Sequence, residues 1–265
     1  MVSIISLGAV SRLKSFSEQT PLEDLPSEDI RPPALWPEKG RIKVQNISAS
    51  YYGAELAVDI AKSENLALRD LTFIIEAGQK VILMFIDSGK SSIVLLLLRL
   101  LDPLSICEGD LIIDDVSLLR IDRSTLRERI IAVPQDPTFF PDGTSFKKNL
   151  DPFNEIGEDE CQQVLEMTEI WASVSSHGGI NAGLTANTLS QGQKQLFSFA
   201  RAVLRRRIRS HLLNAEVGEN YLELKSSLVQ PQRDGGVLVL DEVNSSTDRE
   251  TQKTIQKIIS QEPTV

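Results

Sequence analysis

Two segments with apolar runs, Val81 to Ile86 and Val237 to Leu240, constrain this chain more than any other feature. "QKVILMFI", residues 79–86, and "GVLVLDE", residues 236–242, lack the polar alternation of a half-exposed strand, so a strand formed by either must be covered on both faces. The first leads into Gly89-Lys90-Ser91 and a second apolar stretch, 91–101, which Asp102 and Pro103 close and which reads as a buried helix. The second run delivers Asp241 and Glu242 to the carboxyl end of its strand. Apolar strands that feed helices imply a parallel α/β sheet, with strand 237–240 at its centre and strand 81–85 beside it.

Composition divides the rest. Residues 17–40 hold five of the twelve prolines among many acids, so a linker is expected over 1–40 and a folded domain over 41–265. "RIKVQNISASYY" and "ALRDLTFIIEAG" read as strands that open the domain. Helical patterns over 151–171 and 190–207 suggest a helical subdomain inserted at about 136–207, followed by a polar, irregular insertion at about 208–235. Arg201, Arg205, Arg206, Arg207 and Arg209 read as a solvated helix C-terminus that complements its dipole. The balance of 28 basic against 37 acidic residues, net charge −9, argues against a nucleic-acid surface. Cys107 and Cys161 have neither a CxxC spacing nor a nearby histidine, which fits a reducing compartment and no metal–thiolate site. No run reaches the roughly 18–20 apolar residues that span a bilayer, so this stretch is not expected to cross a membrane by itself.

Three motifs carry chemistry. In the phosphate-loop pattern G-x-x-x-x-G-K-[ST], Gly89, Lys90 and Ser91 fill the last three places and offer a cation, a hydroxyl for Mg²⁺ and a helix N-terminus. Met84 stands at the first glycine position, and Asp87 brings a carboxylate whose repulsion of an anion at about 4 Å costs about 1–4 kcal/mol. In "TLSQGQKQLFSFARAVLRR", Ser190 and Gln193 have the spacing of a capping box beside Gly192; the helix they start is either an anion site or simply a capped helix burying Leu196, Phe199, Ala200, Val203 and Leu204. Asp241 and Glu242 project to opposite sides of an extended backbone, so one can face a metal's water shell while the other faces an attacking water.

The motifs run in the order Lys90 loop, Gln135 in "AVPQDPTFFPDG", "LSQGQ", "LVLDE", "SSTD". In that order the sequence resembles the nucleotide-binding domain of ATP-binding cassette (ABC) transporters, specifically the second such domain of the fungal multidrug-resistance-associated (C) subfamily, over nearly the whole chain from Ser6 onward. "LSQGQ" is similar to the family signature, "LVLDE" to its Walker B strand, Gln135 to the Q-loop glutamine and Asp248 to the D-loop aspartate. In "SASY", Tyr51 resembles the adenine-stacking aromatic, with Tyr52 the alternative, and "NLDPF", residues 149–153, is a C-subfamily trait.

The resemblance implies a P-loop NTPase core of α/β class with an inserted helical subdomain and its C-terminal part missing. It implies ATP and Mg²⁺ as cofactors, with Tyr51 at the adenine, Gly89, Lys90, Ser91 and Ser92 at the phosphates, and Ser91, Gln135 and Asp241 at the metal. Glu242 would polarise the hydrolytic water with Gln135 as the second catalytic residue, while Ser190, Gly192, Gln193 and Asp248 would serve composite sites shared with a partner domain. Implied partners are a second nucleotide-binding domain, head to tail, and a membrane-spanning domain outside this chain; nucleic acid is not among them. The implied setting is the cytoplasmic face of a membrane, where ATP binding and hydrolysis drive export; the chain alone is expected to be soluble and weakly active or inactive. The loop departs from the family at Met84 and Asp87, and neither His177 nor His211 stands where its switch histidine would, so a non-hydrolytic remnant or adaptor is the alternative.

Overall fold

The computed structural model describes residues 2–20, 23, 25–51, 66–82, 89–104, 109–185, 187–218, 236–241 and 249–261. Helix α1, Val2–Gln19, opens the chain and leaves Val10, Leu13 and Phe16 exposed. β1, Ile42–Ala49, lies between β2, Leu68–Ile75, and β3, Asp110–Ile113, and a short β4, Val116–Ser117, extends the sheet to the order β2-β1-β3-β4. All of its pairings are antiparallel, with Val44 opposite both Phe73 and Leu111. A bulge at Asn46, whose φ is +50° and whose N–H donates to Thr72 Oγ1 at 2.9 Å, shifts the register so that Ile47 and Ala49 still point into the core.

One parallel sheet was the expectation; the described strands instead form this antiparallel sheet and a separate parallel pair. The reason is legible in β2, where buried or half-buried positions alternate with exposed ones, the pattern of a sheet with one face in water. The expected strand 81–85 is corrected in its described part, because Val81 and Ile82 form no strand and are 48% and 84% exposed. An apolar run becomes a strand only where a ladder partner receives it, and no described residue pairs with 79–82. Residues 83–88, with Met84 and Asp87, lie outside the described residues.

α2, Lys90–Leu97, starts at Gly89, whose φ of +103° glycine adopts without strain, and buries Ile93, Leu96 and Leu97 against the antiparallel sheet's core. It ends earlier than the apolar run because Arg99 takes φ +53° and turns its side chain inward, where it is 2% exposed. There Arg99 Nη2 and Arg123 Nε donate to Glu28 Oε1 at 3.1 and 2.9 Å, and Asp102 accepts from both arginines. Part of the segment read as linker is therefore packed. Trp36 is 3% exposed and donates through Nε1 to the Ile113 carbonyl at 2.8 Å, and the N–H groups of Lys39, Gly40 and Arg41 converge on the Asp114 carboxylate.

α3, Arg123–Arg129, is capped by Asp122, which accepts from Ser124 Oγ at 2.7 Å and from the Thr125 N–H at 2.8 Å. These hydrogen bonds hold its carboxyl down at about 2, below the usual carboxylate range. Because the folded pKa is depressed, the cap's contribution is complete above the unfolded value and is lost as pH falls through the folded one. Asp122→Ala is expected to cost about 0.5–2 kcal/mol in urea unfolding at neutral pH. The gap between the two proteins should close as pH falls from 3.8 towards about 2; a gap independent of pH would rule out an ionised cap.

β5, Ile131–Val133, pairs in parallel with β6, Leu238–Leu240. Between them in sequence come α4, Phe146–Leu150, α5, Glu158–Met167, α6, Trp171–Ser176, and the long α7, Gln191–Gly218; α8, Arg249–Gln261, follows β6. Phe146, Leu165, Val174, Phe197 and Phe199 build the core of this part, together with Ile131 and Val133. The single helix expected over 151–171 is broken into α5 and α6: Pro152 has no N–H to donate, Asn154 takes φ +55°, Gly157 caps the start of α5, and Glu169 takes φ +58° before α6. The helix expected over 190–207 runs on to Gly218, because residues 208–217 contain no proline or glycine to stop it.

The arginines of α7 are also corrected, from a solvated helix end to docking groups in mid-helix. Arg201 donates to the carbonyls of Asn149 and Thr138 and lies over the rings of Phe139 and Phe197; Arg205 donates to the Glu128 carbonyl. Arg209 donates to the carbonyls of Arg129, Leu35 and Pro37, and burial, aided by the charge of Arg129, brings its pKa down to about 10. Loop carbonyls with no ladder partner are satisfied by forked cations that need acceptors, which is why these charges turn inward.

Candidate functional site

The parallel pair puts the chemistry at one edge. β6 ends at Leu240, and the next residue, Asp241, donates its N–H to the Val133 carbonyl at 3.0 Å, so Asp241 and the loop beginning at Pro134 leave the carboxyl ends of adjacent strands together. Parallel α/β arrangements bind their ligands at that end. Across from it, the first turn of α2 presents Ser91, whose hydroxyl donates to Asp241 Oδ1 at 3.1 Å across 150 residues of sequence. Ser91 and Asp241 are half-buried, and Lys90 is half-buried beside them in the chain.

Tyr51 and Ser92 form a second link to α2, with Tyr51 Oη and Ser92 Oγ 2.7 Å apart. Ser92 is 6% exposed while Tyr51 is 61% exposed, so the tyrosine is tethered at its hydroxyl with much of its surface free to stack. Tyr52 lies outside the described residues. Gly89 at the N-terminus of α2 makes no side-chain cap, and a Cβ there would meet nothing within 4 Å, so the first N–H groups of the helix have no side-chain acceptor from it.

The cap read from the sequence at Ser190 forms as expected. The Ser190 N–H donates to Gln193 Oε1 at 2.9 Å and the Gln193 N–H donates to Ser190 Oγ at 3.3 Å, with Gly192 between them in the first turn of α7. Among the described residues no hydrogen bond joins Ser190, Gly192 or Gln193 to Tyr51, Ser91 or Asp241. Gln135 is exposed, and Glu242 and Asp248 lie outside the described residues.

Two side chains were missed in the sequence. Ser173 on α6 accepts from Gln193 Nε2 at 2.7 Å, so both ends of that amide are held. Gln195 on α7 donates through Nε2 to the main-chain carbonyl of Gln135. For Gln195 there was a signal: at i+4 and i+7 from it stand Phe199 and Ala202 of the buried face, where a polar side chain needs a partner. Nothing local marks Ser173.

Oxygen donors from a hydroxyl and a carboxylate suit a hard cation such as Mg²⁺, and an uncapped helix N-terminus with a lysine suits the phosphates that such an ion accompanies. Among the described residues there is no cluster of His, Cys, Asp and Glu that would hold a metal by protein groups alone, the usual situation when phosphates supply part of the coordination. The ABC transporter family, whose members have a P-loop NTPase fold, fits this mixed α/β arrangement. Residues 68–208 match the family model described as ABC transporter, and the chain belongs to that family.

The chain is 48% identical over 262 residues to ABC transporter FGM5 of Gibberella zeae, covering 97% of this chain and 17% of that protein. It is 45% identical over 269 residues to ABC-type transporter braE of Annulohypoxylon truncatum, with 96% and 17% covered. With ABC transporter FUM19 of Gibberella moniliformis the identity is 42% over 261 residues, covering 97% and 16%. The chain thus spans about one sixth of the length of these relatives. No helix among the described residues is long and apolar enough to cross a membrane.

Proposed function

We propose that this chain is the ATP-binding module of an ABC-type exporter, of the C-subfamily second-domain kind, working in a longer protein or assembly that supplies a membrane-spanning domain and a second nucleotide-binding domain. The observation that carries the reading is the Ser91–Asp241 contact at 3.1 Å, which joins the phosphate-loop helix to the carboxyl end of the parallel pair. In this reading the segment with α4 to α7 is the inserted helical subdomain, and the module sits at the cytoplasmic face of a membrane.

Bound Mg²⁺ would supply charge neutralisation at the phosphates. Ser91 would give its hydroxyl as a ligand, which requires it to turn from Asp241; the Asp241 carboxylate would then hold a water of the metal's shell. Lys90 and the N–H groups of α2 would take the phosphate charge, and Tyr51, tethered through Ser92, would stack on the base. Glu242 would accept the proton of the attacking water, with Gln135 orienting it. Ser190, Gly192 and Gln193 would face the nucleotide of the second domain in a head-to-tail pair, Asp248 completing that contact, and a poor phosphate loop at Met84 and Asp87 would not impair them.

The test is calorimetric titration of the chain with Mg·ATP, followed by a turnover assay. Binding is expected, weakened at least tenfold by Lys90→Ala, with any turnover abolished by Glu242→Gln. No binding, or binding indifferent to Lys90, overturns the proposal; binding without turnover selects the non-hydrolytic adaptor.

A further inference from the structure

Gln195 is a fully buried polar residue, 0% exposed, on a helix face that it shares with buried Ser198, Phe199 and Ala202. Packing does not call for an amide there, since methionine would fill nearly the same volume without burying polar atoms. The amide is also only half satisfied. Nε2 donates to the carbonyl of Gln135, while Oε1 is buried with no hydrogen-bond partner among the described residues. A group retained at that cost is explained by what its one bond holds.

That bond holds the loop after β5. Its base is fixed by the Asp241 N–H on the Val133 carbonyl, and two residues on, the main chain of Gln135 is fixed by Gln195. Gln135 as a residue stays exposed, on a backbone anchored from behind. Gln195 also lies little more than one helical turn from the Ser190 cap, and a helix turn is rigid compared with a loop.

We propose that Gln195 is a positioning residue: it holds Gln135 in one main-chain conformation beside Asp241, and ties that loop to the helix that carries Ser190. This rests on the reading of Gln135 and Asp241 as Mg·ATP residues, but the bond's effect on the loop does not need nucleotide.

The first measurement is therefore amide hydrogen exchange on the nucleotide-free chain, comparing wild type, Gln195→Met and Gln195→Asn, the last keeping the amide one methylene short. Exchange at residues 135–140 should rise about tenfold in Gln195→Met, in keeping with the loss of one buried hydrogen bond, and less in Gln195→Asn, while β1 and α5 stay unchanged. The second measurement is the ratio of ATP affinity with Mg²⁺ to that with EDTA. Gln195→Met should lower this ratio as Gln135→Ala does, and the double variant should fall no further. Unchanged exchange at 135–140, or faster exchange spread evenly over α5 and α7, overturns the proposal by reducing Gln195 to a packing residue. If Gln195→Met does not fold, an unchanged loop in Gln195→Asn has the same force. Should the wild-type chain bind no ATP, it is the ATP-module reading that fails, and exchange alone decides the role of Gln195.

Discussion

Glu28→Ala lowers the stability of the chain by about 3–5 kcal/mol, the range for removing one partner of a buried ion pair. Glu28 Oε1 accepts from two guanidinium groups, and the side chains of Glu28, Arg99 and Arg123 are 2%, 2% and 7% exposed. Without the carboxylate, two cations face each other in a site that water barely reaches. Asp102, which is 45% exposed, remains as an acceptor for both and sets the effect towards the lower end. Glu28→Gln, which keeps an acceptor and the shape, should lose less. The measurement is the urea midpoint with an unchanged slope. A midpoint shift of less than the error would mean that residues 23–40 leave the domain before it unfolds, the behaviour expected of a linker.

Asp241→Asn lowers the affinity for Mg·ATP by about 10- to 100-fold, the usual consequence of altering a group that supports a bound metal. Affinity for ATP in EDTA should stay unchanged, because the substitution touches neither Lys90 nor the N–H groups of α2. The fold should also survive, since the bond from Asp241 to the Val133 carbonyl is made by its main chain. Titration with and without Mg²⁺ separates the two effects. Equal losses in both conditions would show that Asp241 holds the α2 turn in place through Ser91 and has no part in metal binding.

Local physics was legible where the partners are close in sequence. The Ser190–Gln193 cap follows from a three-residue spacing, and β1 and β2 follow from strand patterns within eight residues each. The break between α4 and α5 is legible in the sequence as well, since Pro152 and Gly157 interrupt the helical periodicity of 151–171. The pairing of strands was harder: residues 81–82 and 237–240 are all apolar, yet only the second set has a described ladder partner, in β5.

The groups that chemistry needs, and their order along the chain, are local properties, because motif spacing and caps belong to short segments. The tertiary structure decided which of those groups meet, and what the charges are for. Ser91 reaches Asp241 across 150 residues, Arg209 reaches the Leu35 carbonyl across 174, and Arg123 reaches Glu28 across 95. A free arginine reads as a solvated charge because nothing in its neighbourhood accepts its protons. Only when folding removes water from distant carbonyls and carboxylates do those donors acquire partners, and the cost of leaving them unpaired turns a cationic stretch of helix inward.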